Sequence, residues 1–162
     1  MPNWLSKDAK DFAKYCMDKA PPHFWTKPSS SSGKYHPPDE HGEGGLVLHT
    51  IRVEKIAEIL IGGSTAPLWV DAVRLAALLH DVARYGLEEE PDEHSNDSHP
   101  ELAEKFLIRC WEEQFPALPP GFLGVACQAI RRHMGRWGKH DPITPEDWIV
   151  HNADNIAAKY VP

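Results

Sequence analysis

The chain is poor in cysteine, in basic surplus and in long apolar runs, and each shortage removes a class of protein. Only Cys16, Cys110 and Cys127 occur, an odd number without Cys-x-x-Cys spacing, so neither a disulfide framework nor a thiolate metal site is built here. The three read as reduced helix or core thiols. Lys and Arg total 17 against 24 Asp and Glu, for a net charge of −7, and the pI is near 5.8. Such a molecule is not drawn as a whole to nucleic acid or to an anionic membrane, although a local basic patch stays open. The apolar runs are too short to span a bilayer, and the N-terminus lacks the basic-then-apolar order of a signal peptide. A soluble, cytoplasmic protein is expected. Strand-length alternation and internal repeats are also missing.

What is present is an apolar content of 41% over 162 residues, enough for one compact domain spanning residues 1–162. There are also ten histidines. Asn3 or Ser6 can cap a first helix to about Lys19, with Phe12, Tyr15 and Cys16 on its packing face; residues 1–20 form this N-terminal element. Pro21-Pro22 ends it. Residues 21–45 are rich in Pro, Ser and Gly without period, and read as a long loop close to the active site. Its Ser32-Gly33-Lys34 is not a P-loop, because Pro28 replaces the first glycine and Tyr35 follows the lysine.

Gly44-Gly45 opens a second helix, about Leu46 to Ile61, with Val53, Ile56, Ile59 and Leu60 as its apolar stripe and His49 beside that stripe. Pro67 starts a third, to about Ala83, that carries His80-Asp81-Val82-Ala83-Arg84 behind an Ala/Leu run, with Gly86 as the stop. Residues Glu88 to Asn96 form an acidic connection. Ser98-His99-Pro100-Glu101 has the form of a capping box for a fourth helix to about Gln114. Pro116, Pro119 and Pro120 separate it from a fifth, about Phe122 to Met134, with Arg131, Arg132 and His133 in its last turn. Thr144-Pro145-Glu146-Asp147 opens a sixth, along which Trp148, Ile149, Ile156, Ala157 and Ala158 are packing candidates around Asp154. The expected fold is all-α, a compact bundle of about six helices.

A carboxylate behind an Ala/Leu run is costly to bury and needs a metal or a cation. His49, His80, Asp81, His99, His133 and Asp154 fall at the inner faces or ends of five helical regions, a natural way to build a metal cage in the centre of a helical bundle. Imidazole and carboxylate donors without thiolate suit Mn, Fe, Co, Ni, Mg or Zn.

Gly44-Gly45-Leu46-Val47-Leu48-His49-Thr50, then Ala77-Leu78-Leu79-His80-Asp81-Val82-Ala83-Arg84, then His151-Asn152-Ala153-Asp154-Asn155-Ile156-Ala157 resemble the H…HD…D signature of the HD-domain metal-dependent phosphohydrolases. The likeness runs from about His36 to Ala158. Ser98-His99-Pro100-Glu101 and Ala129-Ile130-Arg131-Arg132-His133 resemble the extra histidine positions of two-metal members. The stretch Lys34-Tyr35-His36 to Gly44-Gly45 is similar to the segment that leads into HD domains related to 3′-5′ exonucleases. Two departures stand out: His133 lacks the adjacent histidine of many two-metal relatives, and Arg84 stands where some carry lysine.

The resemblance implies one or two divalent ions. His49, His80, Asp81 and Asp154 would hold the first, and Asp81 would bridge to a second completed by His99 and His133. It further implies hydrolysis of a phosphoester or phosphoanhydride by a metal-activated hydroxide, with Asp81, Arg84 and Lys34 in catalytic roles. Lys34, Arg84, Arg131 and Arg132 are the candidate phosphate-binding cations. A nucleotide or short oligonucleotide is the expected substrate, short single strands being the nucleic-acid partner in view and no membrane being involved. Tyr35 and Trp137 are available to stack a base, although tryptophans in a helical chain ordinarily pack in the core. His36 and His151 are the candidates for the leaving-group acid. Two alternatives from other classes are an HD-type di-iron oxygenase and a non-catalytic metal-binding signalling module.

Overall fold

In a computed structural model, the residues described are 4–95, 98–114 and 117–159. Among them the chain forms seven α-helices and no strand: α1 (Lys7–Asp18), α2 (Pro22–Thr26), α3 (Gly45–Gly63), α4 (Val70–Leu79), α5 (His99–Gln114), α6 (Pro120–Arg132) and α7 (Pro145–Lys159). Helix α4 is central. Its sequence, Val-Asp-Ala-Val-Arg-Leu-Ala-Ala-Leu-Leu, has strong helix formers, and every residue from Ala72 to Leu79 is buried, as expected of a helix with neighbours on all sides. Helices α1, α3, α6 and α7 pack against it, and α5 packs on α1 and α6. The one cation within this run, Arg74, is neutralised by Glu58 at 2.5 Å and Asp71 at 3.1 Å. No helix among the described residues is long and apolar enough to cross a membrane.

Several local expectations are met by the atoms that produce them. Ser6 Oγ accepts the Ala9 N–H at the start of α1; Asn3, the other candidate cap, lies outside the described residues, as does Pro116. At α7 the box is reciprocal: Thr144 Oγ1 accepts from Asp147 N at 3.3 Å, and Asp147 Oδ2 accepts from Thr144 N at 3.2 Å. All three cysteines are free and buried.

Other expectations give way. The third helix was expected over Pro67 to Ala83, whereas α4 covers only Val70–Leu79. Beyond it the chain tightens into i→i+3 turns, Val82 N to Leu79 O, Arg84 N to Asp81 O and Gly86 N to Ala83 O, so Arg84 is not on a helix. Gly86 sits at φ 83° and closes these turns, not the helix. Residues 21–45, expected without structure, contain α2 and a 3₁₀ turn, Pro38–Glu40. This stretch is tied down by Gly44 N to Thr26 O, Leu46 N to Lys27 O and Ser29 N to Glu40 O. Ile59 is 73% exposed and Ala57 packs instead, while Trp148 and Ile156 also face outward.

Candidate metal centre

Five helices deliver the six singled-out residues to one place. His49 lies one turn into α3, His80 caps the end of α4, Asp81 follows it, His99 begins α5, His133 caps the end of α6 and Asp154 lies two turns into α7. Helix ends suit this work because a side chain there points into the bundle without interrupting the helix behind it. The four imidazoles are buried.

The donors divide into two groups, each compact enough for one ion: His49, His80 and Asp154, and Asp81, His99 and His133. In the first, Asp154 Oδ1 is 3.0 Å from His49 Nε2 and 3.9 Å from His80 Nε2. In the second, Asp81 Oδ1 is 3.0 Å from His99 Nε2 and 3.5 Å from His133 Nε2. The other oxygen of Asp81, Oδ2, is 3.6 Å from His80 Nε2. One carboxylate thus faces both groups, one oxygen to each.

The tautomers fit ligation. His80 Nδ1 donates to Ala77 O at 2.8 Å and His133 Nδ1 to Ile130 O at 2.7 Å. An N–H committed at Nδ1 leaves the lone pair on Nε2. His80 Nε2 is buried without a hydrogen-bond partner in the protein, which an imidazole held for a metal explains. With nitrogen and oxygen donors only, the residues present fit one or two divalent ions.

Protonation equilibria follow from the crowding. Burial pulls the His80 pKa down to about 4 against the attraction of Asp81 and Asp154. For His49 burial acts in the same direction but is outweighed by the carboxylates of Asp154 and Glu40, and the pKa rises to about 10. Burial would raise Asp154, yet His49 and His80 bring it down to about 2. Asp81 is held well below the usual carboxylate range, burial being overcome by His80, His133 and His99.

A cavity of about 820 Å³ opens over the centre, with Asp81, His99, His133 and Asp154 at its floor. Lys34, Arg84, Tyr35, His36 and Trp137 are among its walls. Tyr35 is 75% and Trp137 57% exposed, so these two aromatics are not core residues. The cations expected to bind phosphate are split. Arg84 and Lys34 face the cavity, whereas Arg131 pairs with Glu104 at 3.2 Å and Arg132 donates to Asp141 O at 2.5 Å, neither lining it. His151 is also turned away from the cavity and hydrogen-bonds His133 O at 2.6 Å.

One residue of the site was not legible in the sequence. Glu40 is fully buried beside His49, in an acidic stretch with Asp39 and Glu43 where a solvated carboxylate is the ordinary expectation. His36, four residues earlier, was the available signal.

An all-helical bundle that converges histidines and aspartates from five helical regions on its centre has the donor groups to hold a metal ion. The model of the HD domain family matches residues 46–159, and the chain belongs to that family. Comparison with curated proteins and with solved structures gives no match. HD domains bind divalent metals and are mostly metal-dependent phosphohydrolases. All six donors lie inside the matched span; Lys34, Tyr35, His36 and Glu40 precede it.

Proposed function

We propose that this protein is a metal-dependent phosphohydrolase that cleaves a phosphoester or phosphoanhydride of a nucleotide or short oligonucleotide. The observation that carries the reading is the composition of one cavity: a histidine-aspartate floor, three cations (Lys34, Arg84 and Lys159) and two exposed aromatic rings. Divalent ions at the floor, drawn from Mn, Fe, Co, Ni, Mg or Zn, would lower the pKa of water and neutralise phosphoryl oxygens. Asp81, facing both donor groups, would help hold an ion in either one. Arg84 offers a planar guanidinium that matches two phosphate oxygens, and Lys34 adds a further positive charge from the segment ahead of α3. Tyr35 and Trp137 offer ring faces on which a base can stack. The volume suits a ligand of nucleotide size.

The test is metal analysis of the purified protein, followed by assay of mono-, di- and triphosphate nucleotides, cyclic dinucleotides, short single strands and ribose 5-phosphate with each divalent ion. Hydrolysis that needs metal, disappears in Asp81→Ala and favours base-containing substrates supports the reading. Absence of phosphoester turnover with every ion would overturn it. Oxygen uptake and a visible charge-transfer band after iron loading would then point to the oxygenase alternative.

A further inference from the structure

A third group of donors, His36, Glu40 and His49, lies beside the metal centre, and Glu40 is its hub. Its carboxylate is fully buried. Oε1 accepts from Arg52 NH1 at 2.6 Å, and Oε2 is 3.0 Å from His36 Nδ1 and 3.3 Å from His49 Nδ1. The backbone holds it there. Ser29 N and Oγ both donate to Glu40 O, and the turn lies so close to the start of α3 that a Cβ on Gly45 would come within 1.9 Å of Glu40 O. Gly45 is therefore the residue that lets the turn approach. The same three donors are spaced to hold an ion of their own, but the Arg52 guanidinium already supplies the positive charge at this carboxylate, and Asp39 shares Arg52.

We propose that Glu40, supplied by the segment ahead of the family-matched span, is a positioning residue that fixes His49 for metal binding. Glu40 Oε2 faces His49 Nδ1 without an aligned hydrogen bond, and the side chain's hydrogen bond runs from Nε2 to Asp154 Oδ1 at 3.0 Å; with an ion in the first donor group, Nε2 would be given to the metal and the carboxylate facing Nδ1 would hold the proton there. For His80 and His133 the backbone carbonyls of Ala77 and Ile130 accept from Nδ1; at His49 the acceptor that faces Nδ1 is a side chain. The inference rests on the reading that the cluster binds metal.

Glu40→Gln is the sharp test because it keeps shape and removes choice. With its oxygen left on Arg52, the Gln amide NH₂ faces His36 and His49, forces Nδ1 to accept and moves the His49 proton to Nε2, which then has no lone pair to give. The reverse orientation sets NH₂ against the Arg52 donors. Affinity for Mn²⁺, measured by calorimetry, should fall roughly 10- to 100-fold in Glu40→Gln, with an altered visible spectrum of the Co²⁺-loaded protein. Asp39→Asn, which removes a neighbouring charge but touches neither histidine, should bind within about twofold of the parent. In the Zn²⁺-loaded parent, ¹⁵N spectra should show the His49 proton on Nδ1, a readout that needs no variant to fold. Parental affinity and Co²⁺ spectrum in Glu40→Gln, an equal loss in Asp39→Asn, or a proton on His49 Nε2 would each overturn the proposal. A parent protein that binds no metal would instead remove the reading on which it rests.

Discussion

Arg84 follows the end of α4 by five residues, and what matters is where its guanidinium sits. It lies over the Tyr85 ring at 5.8 Å on the wall of the cavity floored by histidines and aspartates, whereas Arg131 is spent on Glu104 outside it. Arg84→Ala should therefore lower kcat/KM by about 100-fold with metal content and melting temperature nearly unchanged, and Arg84→Lys should recover part of the rate because an ammonium keeps the charge without the fork. Arg131→Ala should stay within about threefold of the parent. Steady-state kinetics on the three variants check this, and an equal loss in Arg84→Ala and Arg131→Ala would show that phosphate is held elsewhere. A second residue, outside the donor groups, sets a pH dependence. His23 is buried, with Nε2 donating to Glu88 O at 3.1 Å and Nδ1 without a partner. Burial, with Lys27 adding to it, holds its pKa below 6.5. The folded state refuses a proton that the unfolded chain accepts, so the stability His23 contributes is present above about pH 6.5 and is lost as pH falls through the depressed folded value. His23→Gln should lose less melting temperature than the parent between about pH 7.5 and 5.5. A scanning calorimeter decides it, and parallel slopes would exclude His23 as the group responsible.

Helix α7 shows how one element couples stability to the site. Asp147 is fully buried and its carboxylate serves three groups at once: Ile143 N at 3.1 Å, Thr144 N at 3.2 Å and Gln128 Nε2 on α6 at 3.1 Å. It both caps α7 and pins it to α6. Asp154 stands seven residues later, two turns along the same face, so the cap sets the rotation and height at which Asp154 meets His49. Asp147→Ala removes the cap and leaves Gln128 short of an acceptor, and should cost about 2–4 kcal/mol in urea unfolding. Metal affinity should weaken in step. A stability loss below about 0.5 kcal/mol would mean that packing of Ile149, Val150, Ala153 and Ala157 alone orients this helix.

At the scale of the molecule, donors from α3, α5, α6 and α7 and from the end of α4 meet at a point, so a bound ion ties together nearly every element around the central helix. Binding to the folded state alone adds about 2.7 kcal/mol at a hundredfold excess over Kd, and for a domain of this size that is roughly 5–10 °C in Tm. Melting temperature should accordingly rise with Mn²⁺ concentration and fall back with chelator. Asp81→Asn, which keeps the shape of the residue facing both donor groups but removes its charge, should retain its helical circular dichroism and lose most of that increment. A Tm indifferent to every divalent ion would show that the cluster is a structural network of imidazoles and carboxylates.

The sequence by itself determined the all-helical class, the start of α5 at His99 and the cap of α7, because these are local properties: caps, proline positions and 3.6-residue spacing act within a few residues of one another. The set of six histidines and aspartates was legible through its resemblance to the HD signature, since spacing alone does not single them out among ten histidines. At its start α4 meets Glu146, whose Oε1 accepts from Trp69 N, and at its end i→i+3 turns take over; the order within residues 21–45 comes from hydrogen bonds such as Ser29 N to Glu40 O and Leu46 N to Lys27 O, which lie beyond the reach of helical periodicity. Ile59, Trp148 and Ile156 have the apolar character of core residues, yet helical periodicity says only which residues share a face, and not whether another helix covers it. Which cations look into the cavity is of the same kind, since both Arg84 and Arg131 are cations near a helix end and only the packing sets Arg84 on the cavity wall and pairs Arg131 with Glu104 outside it. Glu40 is the clearest case. An acidic residue in a polar loop is ordinarily solvated, and only the tertiary structure, by setting a glycine, an arginine and two histidines around it, makes burial of its charge affordable.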